Sequence, residues 1–371
     1  MFKTNGSKIF PAKVKSSILP RSGLSSYFLR SCRLHSTWTQ GMILDYSGTT
    51  MDKYVRAPKD AFVKLFQNEG KKWIASPKTQ PATWRDLAMN FFLFGVKLSN
   101  QQARGPMGNH KKIHIQKLLE LPEVIEQWED FSRIPCVRDQ LLKGRKPFLQ
   151  DIDRLFQDFE PMQVSLLSAV SETQDSLRNS HRDSSSEDLR KVYPNMYTTL
   201  LPGVLSTVNR LRSENQMLFG TTSGFTRAMH DPILLAAKCQ GFVPNVTVAA
   251  DEVPRSRPFP DACFLNMQKL GITSPRKCIK VGDTQMDIQE GKRSGCVTVG
   301  LSRYGNFMGE HEDYPGQLEE MQKRNPEAYL SLLKKARKHL AEAEPDFIVD
   351  NFEELLHVVK EVNRRYASKS N

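Results

Sequence analysis

A short apolar run, Gly41-Met42-Ile43-Leu44, ends in Asp45 and passes at once into Tyr46-Ser47-Gly48-Thr49-Thr50. A buried strand delivers a carboxylate to the mouth of an open α/β sheet in this way, and the amides that follow can face an anion. A carboxylate so placed can act as a nucleophile. Gly220-Thr221-Thr222-Ser223-Gly224-Phe225-Thr226-Arg227 sets hydroxyls and glycines just before a helix, suited to holding a phosphoryl oxygen. Arg255-Ser256-Arg257-Pro258 opens a helix with a cation, Pro standing near the first turn. Val281-Gly282-Asp283-Thr284-Gln285-Met286-Asp287 carries two carboxylates four residues apart around a tight turn, able to hold Mg²⁺ through oxygen ligands. Taken singly, each stretch has an ordinary reading as a turn, a solvated arginine or a helix cap. Their order, each at or just beyond a strand end, favours one shared site.

The elements that must position these residues alternate from about residue 200 onward. A helix over 203–212 precedes a strand at Met217-Leu218-Phe219, and a helix over 226–239 precedes a strand at Val246-Thr247-Val248. A helix over 261–270, a strand at Cys278-Ile279-Lys280-Val281, a helix over 286–294 and strands at 296–299 and 347–349 follow. Alternation with short connections predicts a parallel, doubly wound, Rossmann-like sheet. From about residue 60 to 190 the patterns are helical only: 59–67, a helix opened by the capping box Thr83-Trp84-Arg85-Asp86, then helices through Leu118, 124–131 and 147–170. The expected fold is thus α/β, with an all-helical cap (59–194) inserted after the first strand of a core formed by 41–58 and 195–371.

This set of motifs resembles the haloacid dehalogenase superfamily and, within it, the phosphonatases. The carrying residues are Asp45 to Asp52, Thr222 to Arg227, Arg257-Pro258 and Lys280 to Thr284. The resemblance implies Asp45 as nucleophile, Ser223, Gly224 and Arg257 as phosphoryl-binding residues, and Mg²⁺ held by Asp45, Asp283 and the Ser47 carbonyl. Asp287 would orient the water shell of the metal. The cap of such enzymes supplies a lysine that forms a Schiff base with an aldehyde substrate. Pro106-Met107-Gly108-Asn109-His110-Lys111-Lys112-Ile113-His114 is the matching stretch, with Lys111 at the imine-forming position and Met107 and His114 on neighbouring substrate-binding positions.

The physical reading agrees with that placement. Gly108-Asn109 reads as a helix start, so Lys111 falls in a first turn whose positive end disfavours an ammonium. Lys112 adds a like charge, and both effects favour the neutral amine. Lys111 and His114, three apart, share a helix face. Ser47 stands where the phosphate-ester hydrolases of the superfamily carry a second Asp to protonate a leaving alkoxide. Cleaving a P–C bond through an imine expels an enamine and needs no such acid there. Phe225 and Val55 differ from the Tyr and Cys usual in phosphonatases. The function implied is Mg²⁺-dependent hydrolysis of phosphonoacetaldehyde. The alternatives are a related hydrolase of another phosphonate or phosphate, and a silent phosphate-binding relative.

Composition bounds the partners. Residues 1–40 hold seven of the Lys and Arg residues and no Asp or Glu, leaving five of the twelve net positive charges to the rest of the chain. A basic, Ser-rich, acid-free start has the composition of a transit peptide, so the expected compartment is the mitochondrial matrix, with the cytoplasm as the fallback. No nucleic-acid partner is expected once that segment is set aside, and no apolar run approaches the roughly 18 residues of a membrane span. Six scattered cysteines without a Cys-x-x-Cys pair argue against a zinc site or a disulfide framework. The resemblance further implies a small-molecule phosphonate substrate and a homodimer.

Overall fold

The computed structural model describes residues 38–74, 96–132, 149–168 and 195–367. The N-terminal segment, the capping box at Thr83 and the polar stretch in the 180s lie outside these residues. The sheet has six strands, all parallel, in the order β3-β2-β1-β4-β5-β6: β1 Gly41–Leu44, β2 Leu218–Thr222, β3 Val246–Val248, β4 Cys278–Gly282, β5 Val297–Leu301 and β6 Phe347–Val349. Every residue of β1 is buried, as a central parallel strand covered on both faces requires. Leu44 is in register with Thr221 of β2 on one side and Val281 of β4 on the other. The carboxyl ends of these three strands therefore meet. The chain moves outward from β1 to β3, then crosses back to β4, which makes this the switch point where such sheets open a crevice.

In chain order the helices are α1 Arg56–Ile74, α2 Asn100–Arg104, α3 Lys111–Leu119, α4 Pro122–Ser132 and α5 Leu149–Ser168, all between β1 and β2. Then follow α6 Val204–Asn215, α7 Arg227–Cys239, α8 Asp261–Leu270, α9 Gln285–Ser294, α10 Asn306–Gly309, α11 Gln317–Arg324, α12 Pro326–Ala341 and α13 Leu355–Ala367. The segments described between β1 and β2 contain helices and no strand, so the fold is the expected α/β sheet with a helical insertion. Helix α1 buries Ala57, Ala61, Phe62, Leu65 and Phe66, a 3.6-residue stripe, and Phe62 stacks on Phe159 of α5 at 4.4 Å.

Two local expectations are corrected. Helix α1 starts at Arg56 rather than 59. Asp52 caps it, its Oδ1 accepting from the amides of Arg56 at 2.9 Å and Ala57 at 3.2 Å, and Pro58 is tolerated in the first turn. The stretch between β5 and β6 holds three helices that the strand-and-helix pattern left unassigned. Of these α11 buries only Leu318, whereas α12 buries Tyr329, Leu332, Leu333, Ala336 and Leu340 on one face.

Helix α9 lies close on the sheet at Gly291, where an added Cβ would stand 2.6 Å from Thr298 Cγ2 and 2.9 Å from Lys280 Cβ. Helix propensity alone favours Ala over Gly by about 1 kcal/mol, but overpacking costs about 1–3 kcal/mol. Gly291→Ala is therefore expected to lower the urea midpoint of unfolding; a raised midpoint would contradict this packing.

Candidate active site

The loop after β1 folds back on itself. The amides of Thr49, Thr50 and Met51 all donate to the Tyr46 carbonyl, at 2.9–3.2 Å. Gly48 lies at φ +78°, and a Cβ there would stand 2.4 Å from Asp283 Oδ2, so only glycine lets the loop approach this carboxylate. Thr49 Oγ1 then donates to Asp283 Oδ1 at 3.2 Å, and the Asn306 amide donates to Oδ2 at 2.8 Å. Both donors are neutral. Burial, followed by the charges of Asp45 and Asp287, pushes the Asp283 carboxyl well above the usual carboxylate range.

Arg257 is almost wholly buried and spends all three nitrogens on carboxylates. Its Nη2 donates to Asp45 Oδ1 at 2.6 Å and to Thr222 Oγ1 at 2.7 Å, Nη1 pairs with Asp287 Oδ1 at 2.8 Å, and Nε donates to Glu290 Oε2 at 3.0 Å. Lys280 Nζ completes the network, 3.1 Å from Asp287 Oδ1, 3.0 Å from Glu290 Oε2 and 2.7 Å from Thr222 Oγ1. Asp287 also accepts from Thr284 Oγ1 at 2.6 Å, within the capping box that opens α9. The charges of Arg257 and Lys280 hold its carboxyl below the usual range against the burial that would raise it. Burial raises the Asp45 carboxyl, and Arg257 opposes it.

Asp45, Asp283 and Asp287 each bring a carboxylate oxygen within 4.8 Å of the others. With Glu290, four buried carboxylates face two buried cations, Arg257 and Lys280. When all are ionised and the Lys111 amine is neutral, two negative charges remain uncompensated, and Asp283 has no cationic partner among the described residues. An all-oxygen donor set short of two positive charges fits a hard divalent cation such as Mg²⁺.

The helical insertion supplies the other wall of the cavity. From the sheet side come Asp45, Ser47, Ser223, Gly224, Arg257 and Asp283, and from the insertion come Met107 and Lys111. Lys111 is the first residue of α3, whose N-cap is His110. It is buried, with Nζ 4.8 Å from the centre of the Phe225 ring. Burial above all pushes its amine down to about 8; Asp45 opposes this and Arg257 reinforces it. The like charge that acts is therefore Arg257. Lys112 instead pairs with Asp153 at 2.7 Å on the surface.

His114 is not among the residues lining this cavity. It lies behind Phe62, stacked on that ring at 3.9 Å, with Nε2 3.0 Å from the Ala103 carbonyl, and burial keeps it neutral. Ser223 Oγ accepts from the Phe225 amide at 3.1 Å. Neither Lys280 nor Glu290 is marked by the sequence motifs as a site residue. The signals were a lone lysine inside the apolar strand Cys278-Ile279-Lys280-Val281-Gly282, and a glutamate one helical turn after Asp287.

The sequence profile of haloacid dehalogenase-like hydrolases matches residues 43–295. The chain belongs to this family. It is a hydrolase, similar along most of its length to proteins named phosphonoacetaldehyde hydrolase. The one from Nitratidesulfovibrio vulgaris is 26% identical over 340 residues, 92% of this chain and 96% of its own. The one from Pseudomonas putida is 29% identical over 332 residues, 89% and 95% of the two chains. The crystal structure of a phosphonoacetaldehyde hydrolase-like protein from Oleispira antarctica superposes with a TM-score of 0.69 at 28% identity, covering 90% of this chain and 96% of the other. A β-phosphoglucomutase from Clostridium difficile, 13% identical with a TM-score of 0.51 over 89% and 99% of the two chains, shares the fold.

A lysine whose folded pKa is depressed burdens the fold. The unfolded chain binds the proton more tightly, so the penalty is full below pH 8 and fades between about 8 and 10.5. Lys111→Met is accordingly expected to be more stable than wild type at pH 7, by up to about 3 kcal/mol. The advantage should shrink as pH rises past 8. Urea melts of the metal-free proteins at pH 7 and 9.5 check this, and a constant or growing advantage would contradict it.

Proposed function

We propose that this hydrolase cleaves the carbon–phosphorus bond of phosphonoacetaldehyde, giving acetaldehyde and phosphate. The observation that carries the reading is the pairing of two nucleophiles across one cavity. Lys111, buried with its amine pushed down to about 8, faces it from the insertion, and Asp45 faces it from the end of β1. The names of the relatives supply the substrate.

In this mechanism the Lys111 amine adds to the aldehyde carbon and water leaves, forming an imine. Its protonated nitrogen is an electron sink three bonds from phosphorus, conjugated with the carbon that phosphorus leaves. An Asp45 oxygen attacks phosphorus, the P–C bonding pair moves onto the carbon skeleton as an enamine, and an aspartyl-phosphate remains. Arg257, anchored by Asp287 and Glu290, holds its Nη2 where charge develops on the phosphoryl oxygens, and the Ser223 hydroxyl and Gly224 line the same space. Water hydrolyses the acyl phosphate and regenerates Asp45. The enamine takes a proton on carbon, and a second water releases acetaldehyde and Lys111. Mg²⁺, which Asp45, Asp283 and the Ser47 carbonyl would hold with Asp287 ordering its water, would supply Lewis-acid neutralisation of phosphoryl charge. Burial of both nucleophiles excludes bulk water from the intermediates.

Ser47 disfavours the competing reading as a phosphate-ester hydrolase, since the position two after Asp45 carries no carboxyl to protonate an alkoxide. Outside the described residues, the basic and acid-free N-terminus supports a mitochondrial matrix location.

The test is product release from phosphonoacetaldehyde by wild type, Lys111→Arg and Asp45→Asn. Acetaldehyde and phosphate are expected in equal amounts from wild type, with loss on chelation of Mg²⁺. Both variants should fall by at least about 10³-fold in kcat. Activity on phosphate esters that survives Lys111→Arg would replace this reading with the phosphate-ester one.

A further inference from the structure

Arg104 ends α2 in the helical insertion, is fully buried, and is not among the residues lining the catalytic cavity. Its Nη1 donates to the backbone carbonyls of Tyr54 at 2.5 Å and Val55 at 3.2 Å, and to Asn306 Oδ1 at 3.3 Å. Its Nε donates to Asn100 Oδ1 at 2.8 Å. The two carbonyls belong to the link that carries the chain from the loop after Asp45 into α1. Asp52, Tyr54 and Val55 in that link all have φ between 53 and 64°. A left-handed backbone at three non-glycine residues, one of them β-branched, persists only where surrounding groups over-determine it.

The other side of Arg104 leads to the site. Its carbonyl accepts from the Met107 amide at 2.9 Å and from Asn306 Nδ2 at 3.3 Å. The Asn306 amide in turn holds Asp283 Oδ2 at 2.8 Å. Asn100 adds a second grip, its Nδ2 donating to the carbonyls of Gly309, Glu310 and Glu312 at 3.0–3.2 Å, at the open carboxyl end of α10. An apolar residue could fill the space of Arg104. Nη1 and Nε of the guanidinium together reach two carbonyls and two side-chain amides, and Nη2 is buried without a hydrogen-bond partner.

We propose that Arg104 is a positioning residue for the reaction. It ties the strained link at 52–55 and Asn306 to the base of the 105–111 turn, and so sets Lys111 at its working separation from Asp45 and Asp283. The role rests on the lysine reading above, because only a reaction that needs both walls of the cavity depends on that separation.

The experiment uses the full chain with Arg104→Gln, Arg104→Lys and Asn100→Ala. Two readouts separate the walls: binding of beryllium trifluoride with Mg²⁺ to Asp45, followed by fluorine NMR, and kcat and KM for phosphonoacetaldehyde. Arg104→Gln is expected to bind beryllium trifluoride as wild type does, while kcat falls about 10–100-fold and KM changes far less. Arg104→Lys should recover part of the loss, and Asn100→Ala should show the same pattern more weakly. An unchanged kcat in Arg104→Gln overturns the proposal. So does loss of beryllium trifluoride binding in step with kcat, which would make Arg104 a general support of the sheet. Where Arg104→Gln does not fold, Asn100→Ala decides, and an unchanged kcat overturns. Should Lys111→Arg prove as active as wild type, the lysine reading fails on its own. Amide exchange over 105–112 then decides: selective acceleration in Arg104→Lys supports the positioning role, and unchanged exchange overturns it.

Discussion

Arg257 draws together Asp45, Asp287 and Glu290, three buried carboxylates that would otherwise repel one another. Burying such a set is costly, and removing one partner leaves an uncompensated charge, so the cluster holds only as a whole. Much of the surrounding architecture follows from it. Strand β4 carries Lys280 into the same network, α9 presents Asp287 and Glu290 one turn apart, and Gly291 lets that helix sit close enough to do so. The two negative charges left over when Lys111 is neutral would suit a divalent cation among these oxygens.

Lys111 answers the opposite demand. In the proposed reaction its amine must shed a proton to attack a carbonyl, and burial at the start of α3, over the Phe225 ring and near Arg257, makes that loss easier. An aromatic face tolerates either form of the amine, whereas a hydroxyl at position 225 would add a hydrogen-bonding group. The arrangement lowers stability where the proposed chemistry needs it, a common exchange in active sites. Because Asp45 and Lys111 come from different parts of the chain, their separation is set by contacts between the insertion and the sheet. Arg104 and Asn100 are prominent among these.

The parallel sheet and the residues at its switch point were legible in the sequence because both are local patterns. Apolar runs mark strands buried on both faces, and a carboxylate or hydroxyl-rich turn at the end of each marks the crevice. Lys111 was legible through its motif, though not the cause of its depressed pKa. Lys112 is adjacent in sequence but turns to Asp153, while Arg257, 146 residues away, is the cation that counts. Lys111 and His114, three apart on α3, do share a face: both meet the Phe62 ring, Lys111 with Nζ 5.9 Å from its centre and His114 stacked on it at 3.9 Å, although His114 does not line the cavity. Glu290, Asn306 and Arg104 gain their roles only from partners distant in the chain, and no spacing rule reports those.

The most direct test of this account is to treat the protein with phosphonoacetaldehyde and Mg²⁺ in the presence of borohydride and then locate the modification by peptide mass mapping. Irreversible inactivation is expected, with a reduced two-carbon adduct on Lys111 and none on neighbouring Lys112. Full activity after treatment, or adducts confined to surface lysines, would show that no imine forms at Lys111. The buried amine would then have to be explained without chemistry.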